Sequence, residues 1–241
     1  MTPRTAQRWL GDLFRVHEYA DVFERLVRLP LVADMLPRFV RGTKCQAVFE
    51  RNAIFIHIPK NAGTSIVVSL YGGWVGHKTA LFYKKSAAEF FGRVRKFAVL
   101  RDPVERFMSS YWFMRQGGGS DIRMEPKAVE RLQQITSVDL LLEYLESNKE
   151  RIFEIDPLFR SQYWYLSDSD GKLLIDELYI LGEDDAHIDR ALSEMGATKL
   201  VALNRTRRGA GTITTAQKRR VESLYAEDVQ LLGAVRKSRS R

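Results

Sequence analysis

Apolar positions along the chain change period several times, and each change predicts an element. Residues 4–28 set Trp9, Leu10, Leu13, Phe14, Val16, Val22, Phe23, Leu26 and Val27 among charges at helical spacing, with breaks expected at Pro30 and Pro37. This predicts an N-terminal helical extension over residues 1–50. Docking onto the domain is the commoner use of such a stripe, while its basic, amphipathic character leaves peripheral membrane contact open. The run Ala53-Ile54-Phe55-Ile56-His57-Ile58 is short, apolar and rich in β-branched residues, which predicts a strand buried on both faces. After the small, polar stretch from Pro59 to Ser65, residues Ile66, Val67, Leu70 and Tyr71 return to helical spacing.

The pattern repeats downstream. Lys96 to Leu100 predicts a second buried strand, and Asp102-Pro103 then supplies an N-cap and a proline at the first helical position. The helix that follows carries Phe107, Met108, Tyr111, Trp112 and Met114 and stops at Gly117-Gly118-Gly119. Ser137 caps a helix through Leu145; Leu178 to Leu181 predicts a third strand; Asp184 to Met195 predicts a helix closed by Gly196, and Lys199 to Leu203 a fourth strand. Thr215 opens a last helix with Val221, Leu224, Tyr225, Val229 and Leu232 on one face, leaving 236–241 as a disordered basic tail. Strands separated by helices imply an α/β fold, a parallel β-sheet flanked by helices, with ligands at the carboxyl ends of the strands.

Composition narrows the class. At 241 residues with 45% hydrophobic and 28% charged residues, the chain has the makeup of one globular domain. The single cysteine, Cys45, excludes an intramolecular disulfide and a cysteine metal cluster and suits a reducing compartment. The start, Met1 to Arg4, lacks an apolar signal core, and the longest uncharged run, Asn61 to His77, is interrupted by glycines, so no transmembrane segment is expected and the cytoplasm is the default location. The net charge of +8 conceals a division: residues 77–123 carry +6 and 204–241 carry +7, around an acidic stretch of −9 over 124–203. Basic zones that fold together would hold an anion.

The loop from Pro59 to Ser65 stands where an α/β fold binds phosphate, with backbone N–H groups at a helix N-terminus and the full charge of Lys60. It is not a Walker A loop, because Lys60 precedes Gly63. Leu100 is followed by Arg101 where a metal-binding aspartate would be expected, which disfavours a nucleotide triphosphate with magnesium.

The segments Ile56-His57-Ile58-Pro59-Lys60-Asn61-Ala62-Gly63-Thr64-Ser65 and Val99-Leu100-Arg101-Asp102-Pro103-Val104-Glu105-Arg106-Phe107-Met108-Ser109-Ser110-Tyr111 together resemble the two signature motifs of sulfotransferases that use 3′-phosphoadenosine 5′-phosphosulfate (PAPS). The closer match is the carbohydrate sulfotransferase branch, with chondroitin and heparan enzymes and many bacterial proteins. Weaker similarity continues through Gly76-His77, Gln162-Tyr163, Gly182-Glu183, Leu203-Asn204-Arg205-Thr206 and Tyr225-Ala226-Glu227-Asp228, covering most of residues 53–232. The resemblance implies a P-loop-like sulfotransferase fold over residues 51–235 and transfer of a sulfuryl group to an acceptor hydroxyl on a carbohydrate. It implies PAPS as cofactor, 3′-phosphoadenosine 5′-phosphate as product and no metal.

In that family the first motif grips the 5′-phosphosulfate, which falls here on Pro59, Lys60, Asn61, Ala62, Gly63, Thr64 and Ser65, with Asn61 where the family usually has Thr. The second grips the 3′-phosphate, which falls on Arg101 and Ser109. A planar guanidinium suits the second site on physical grounds as well, although a salt bridge to Asp102 or Glu105 would also explain Arg101. His77 is the candidate base, since a hydroxyl must lose its proton and a histidine downstream of the first motif has that role in heparan 2-O-sulfating relatives. Glu183 is the reserve base, with a helix N-terminal charge as its plain alternative. Arg205 and Arg208, in a loop with Gly209 and Gly211, are further candidates for the cofactor or an anionic acceptor. His57 is assigned to a strand and His187 to an acidic surface helix. Expected partners are a saccharide or glycolipid acceptor and no nucleic acid. Two other classes stay open: a P-loop-like kinase using ATP, and a non-catalytic polyanion-binding module.

Overall fold

The computed structural model describes residues 16, 19–29, 46–119, 122–197 and 212–239. Three parallel strands form one sheet in the order β1-β2-β3: β1 is Ala53–Ile56, β2 is Arg95–Leu100 and β3 is Glu177–Ile180. Ile56 stands opposite Ala98, and Leu100 opposite Ile180, so all three strands end on the same side of the sheet. Every residue of β1 is buried, as its run of apolar residues requires in a sheet covered on both faces. The outer edge of β1 is closed by Tyr71, whose hydroxyl accepts from Phe55 N at 2.8 Å and donates to Ala53 O at 3.2 Å.

The helices in chain order are α1 (Tyr19–Leu26), α2 (Gln46–Phe49), α3 (Gly63–Tyr71), α4 (Ala80–Ser86), α5 (Ala88–Arg93), α6 (Pro103–Arg115), α7 (Pro126–Leu132), α8 (Val138–Asn148), α9 (Gln162–Leu166), α10 (Asp185–Glu194), α11 (Thr215–Leu224) and α12 (Ala226–Arg239). Caps fall where the sequence put them. Asp102 accepts from Val104 N and Glu105 N at the start of α6 with Pro103 in the first turn, and Ser137 accepts from Leu140 N at the start of α8. One core packs α2, α3, α4, α5 and α9 around the sheet, and a second gathers Phe107, Tyr111, Leu141, Leu145 and Val221 from α6, α8 and α11.

Three expectations are corrected. The single C-terminal helix is two, opened by a Thr214 capping box and broken at Tyr225, whose hydroxyl is drawn to Phe159 O at 2.7 Å. The tail expected to be disordered from 236 is helical to Arg239, because Arg236 pairs with Glu183, and Arg239 with Asp184 and Leu178 O. Val229, expected on the apolar face, is exposed. Val27 and Val48 lie in the same core as Phe55. The fourth strand at 199–203 lies outside the described residues.

The extension docks through α1. Asp21 and Arg160, both buried, form a two-pronged ion pair at 2.8 and 2.5 Å, and the Glu24 carboxylate accepts from Thr79 N and Oγ1 at 2.9 and 2.7 Å. Among the described residues, no helix is long and apolar enough to cross a membrane.

Candidate active site

The chain leaves β1 at Ile56 and enters α3 at Gly63 through a loop whose backbone is unusual. Lys60 and Ala62 both have left-handed conformations, with φ of 69° and 59°. For residues with a Cβ this costs roughly 1 kcal/mol or more each and persists only where the surroundings over-determine it. Two arginines do so. Arg106, fully buried on α6, donates from Nε to Pro59 O at 3.0 Å, and Arg101, just past β2, donates from Nη1 to Lys60 O at 3.1 Å. Both carbonyls are thereby held by cations, and left-handed residues alternating along a loop before a helix N-terminus make the backbone concavity that takes anions.

Asn61 belongs to the loop in sequence but to the core in space. Its side chain is fully buried, and Nδ2 donates to Val99 O and Gln162 Oε1, both at 2.7 Å. It therefore fastens the loop to the end of β2. Gln162 is the common fastener: its Oε1 also accepts from Arg101 N at 2.9 Å and its Nε2 donates to Arg101 O at 2.8 Å. The buried Asp228 carboxylate then accepts from Gln162 N at 2.9 Å and Tyr163 N at 2.8 Å. Burial raises the Asp228 pKa, opposed by the charge of Arg106 and the N–H donors.

Gly63 is required for a reason that spacing does not reveal. A Cβ at this position would stand 2.1 Å from Cδ2 of His57, so the glycine lets the helix start against the imidazole. His57 is buried just beyond β1, stacked on Phe55, with its ring centroid 4.2 Å from that of His77 and its Nδ1 without a hydrogen-bond partner among the described residues. Trp74 sets its edge against both imidazoles at 5.0 and 4.9 Å. Burial, then the neighbouring His77, holds His57 well below the ordinary histidine pKa.

His77 is partly buried, and its Nδ1 lies 2.8 Å from His57 O. A carbonyl only accepts, so Nδ1 carries the proton and Nε2 keeps the lone pair. Burial lowers the His77 pKa to about 4; the bond to His57 O opposes this, and the charges of Arg106, Lys60 and Arg160 reinforce it. The imidazole is therefore neutral at physiological pH, the form a general base needs. Lys60 places Nζ 4.1 Å from the centroid of the Phe113 ring, and burial together with Arg101 lowers its pKa to about 8.

Arg101, Glu105 and Ser109 follow one another at four-residue intervals along one face at the start of α6. Arg101 Nη2 meets Glu105 Oε2 at 3.4 Å, so the salt bridge weighed as the plain explanation of Arg101 is present, with a carboxylate that is 61% exposed. Ser109 is partly buried, as are Thr64 and Ser65 in the first turn of α3. Glu183 lies beyond β3, exposed and accepting from Arg236 Nε at 3.1 Å, a bond that lowers its pKa. Arg205 and Arg208 lie outside the described residues.

The structure thus brings together Lys60, the loop to Ser65, Arg101 and His77, and adds His57, Arg106, Gln162 and Asp228. Arg106 lies inside the second motif, while Gln162 and Asp228 fall in the weaker segments of similarity; these were the available signals. No family profile, curated protein or solved structure matches the chain.

Proposed function

We propose that this chain is a PAPS-dependent sulfotransferase of the P-loop-like type that sulfates a carbohydrate hydroxyl. The observation that carries the reading is the joining of two cationic strand ends: Arg101 donates to Lys60 O, and Gln162 binds both Asn61 and the Arg101 backbone. A cofactor with phosphates at two distant points needs two anion sites held in fixed relation. The strained loop and Lys60 fit the phosphosulfate end, and Arg101 with Ser109 fits the 3′-phosphate. When bound, the cofactor supplies a sulfuryl group already activated on a phosphate leaving group.

The chain's own residues then have separate tasks. Nε2 of His77 would accept the proton of the acceptor hydroxyl, whose oxygen would take the sulfuryl group that the bound cofactor supplies. Protonated Lys60, in a site of low polarity beside Phe113, stabilises charge on the departing phosphate oxygen. Arg101 fixes the nucleotide end without touching the reacting bond. Glu183, engaged by Arg236, is the weaker candidate for the base.

The test is direct. Purified protein is given radiolabelled PAPS with a panel of saccharides, with magnesium ATP as a parallel donor. Label transfer from PAPS, together with thermal stabilisation by 3′-phosphoadenosine 5′-phosphate, supports the reading. Stabilisation by magnesium ATP alone, with transfer of phosphate, replaces it with the kinase alternative.

A further inference from the structure

His77 sits between unequal neighbours. On its N-terminal side the chain from Tyr71 runs Gly72-Gly73-Trp74-Val75-Gly76, and a Cβ at any of the three glycines would meet nothing within 4 Å. Gly72 and Gly76 have φ of 73° and 82°, values that side chains disfavour. A stretch this rich in glycine has the most backbone freedom to lose, and the contact it gives His77 is the edge of Trp74, at 4.9 Å between ring centroids. On its C-terminal side stands Thr79, fully buried.

Thr79 is gripped from a distant part of the chain. Its Oγ1 accepts from Phe82 N as the N-cap of α4 and donates to the Glu24 carboxylate at 2.7 Å, while its N–H donates to the same carboxylate at 2.9 Å. Glu24 is buried, and its backbone and carboxylate accept from Arg28 Nη1 at 2.7 and 3.2 Å. Between the two, Lys78 lies over Phe82 and over Phe23 of α1, at 4.8 and 5.5 Å. The helix that supplies Glu24 is itself anchored by Asp21 on Arg160.

We propose that Glu24 is a positioning residue: α1, from outside the region of motif similarity, holds Thr79 and so fixes the imidazole of His77 with Nδ1 on His57 O. A buried carboxylate receiving two donors from one residue defines both the position and the rotation of that residue. The consequence for turnover rests on the functional reading given above; the positioning itself does not.

The experiment therefore has two readouts on the full chain. The first is the tautomer of His77, read without substrate from the imidazole nitrogen resonances. In the native protein Nδ1–H should dominate. Glu24→Ala should shift the ring toward Nε2–H, and Glu24→Gln, which keeps a carbonyl oxygen for the Thr79 N–H, should restore most of the native signal. Leu145→Ala, a core truncation in α8, lowers stability away from this loop and should leave the tautomer unchanged. If Glu24→Ala does not fold, Thr79→Val carries the same test. The second readout is kinetic: turnover should fall about tenfold while affinity for 3′-phosphoadenosine 5′-phosphate stays within about twofold. A native tautomer in folded Glu24→Ala and Thr79→Val proteins would overturn the proposal, as would an equal shift in Leu145→Ala. Absence of sulfotransfer in the native protein would defeat the functional reading alone, leaving the tautomer to decide the positioning.

Discussion

The guanidinium of Arg101 donates to the main-chain oxygen of Lys60 across 3.1 Å, so the residue proposed to hold one phosphate also shapes the loop proposed to hold the other. Such double employment distinguishes arginine from lysine, because a planar fork can serve two acceptors in fixed directions.

Arg101→Ala should therefore lose cofactor affinity by roughly 2–4 kcal/mol, or about thirtyfold to a thousandfold, with the fold retained. Arg101→Lys should recover less than a tenth of the loss, since one ammonium cannot hold Lys60 O and a phosphate together. Calorimetric titration with 3′-phosphoadenosine 5′-phosphate measures both. Native affinity in either variant would remove Arg101 from the site.

Lys60 predicts a proton signature. With a pKa of about 8 in the free protein, its ammonium is half deprotonated at pH 8, and an anion bound beside it favours the charged form. Binding at pH 8 should draw in up to about half a proton, seen as a dependence of the observed heat on buffer ionisation enthalpy, and the uptake should vanish in Lys60→Met. Uptake unchanged in Lys60→Met would place the titrating group elsewhere.

Much of this site was legible in the chain, for a local reason. The Asp102-Pro103 cap and the charge of Lys60 beside a helix start act within a few residues, and short-range patterns record such effects. Even there the physical cause of Gly63 lay in His57, a residue read as part of a strand. What the pattern did not show is long in sequence. Asp21 meets Arg160 across 139 positions, and Asn61 meets Gln162 across 101. A buried aspartate or glutamine carries no periodicity that marks its partner. The C-terminal helix failed for a related reason: the apolar spacing continued through Tyr225, but the tertiary bond to Phe159 O accompanies a break in the helix there.

Glu105 tests the second anion site from the opposite direction. Its carboxylate lies 3.4 Å from Arg101, one helical turn from Ser109, where it would compete with a phosphate held at the proposed site. Glu105→Gln should tighten 3′-phosphoadenosine 5′-phosphate binding by about threefold to tenfold, most clearly at low salt. Weaker binding would show instead that Glu105 orients the guanidinium.

Gly63→Ala probes the imidazole pair. The new methyl group would collide with His57 at 2.1 Å, so the ring must move or the start of α3 must shift, at a cost of about 1–3 kcal/mol. Because His77 bonds to the His57 carbonyl, the damage should reach turnover as well as melting temperature. An unshifted melting temperature would mean that His57 gives way freely.

His77 contributes to the loss of stability in acid. Its pKa is about 4 in the folded chain against an ordinary value of 6.5, so the unfolded chain binds the proton more readily. The contribution to stability is complete above pH 6.5 and is lost as pH falls toward 4, and neutral, buried His57 acts in the same direction. Unfolding in urea at pH 7 and at pH 4.5 should differ by about 2 kcal/mol or more, and His77→Gln should narrow the gap. Catalysis should follow the same group. If Nε2 takes the hydroxyl proton, activity should be level from pH 6 upward until Lys60 deprotonates, and should fall below pH 5 with an apparent pKa close to 4. Replacing His77 by alanine should cost turnover about 10²–10⁴-fold with cofactor affinity nearly intact. A turnover that instead rises through pH 6.5 would identify an exposed, ordinary histidine as the base and exclude His77, whose proton is already gone at that pH.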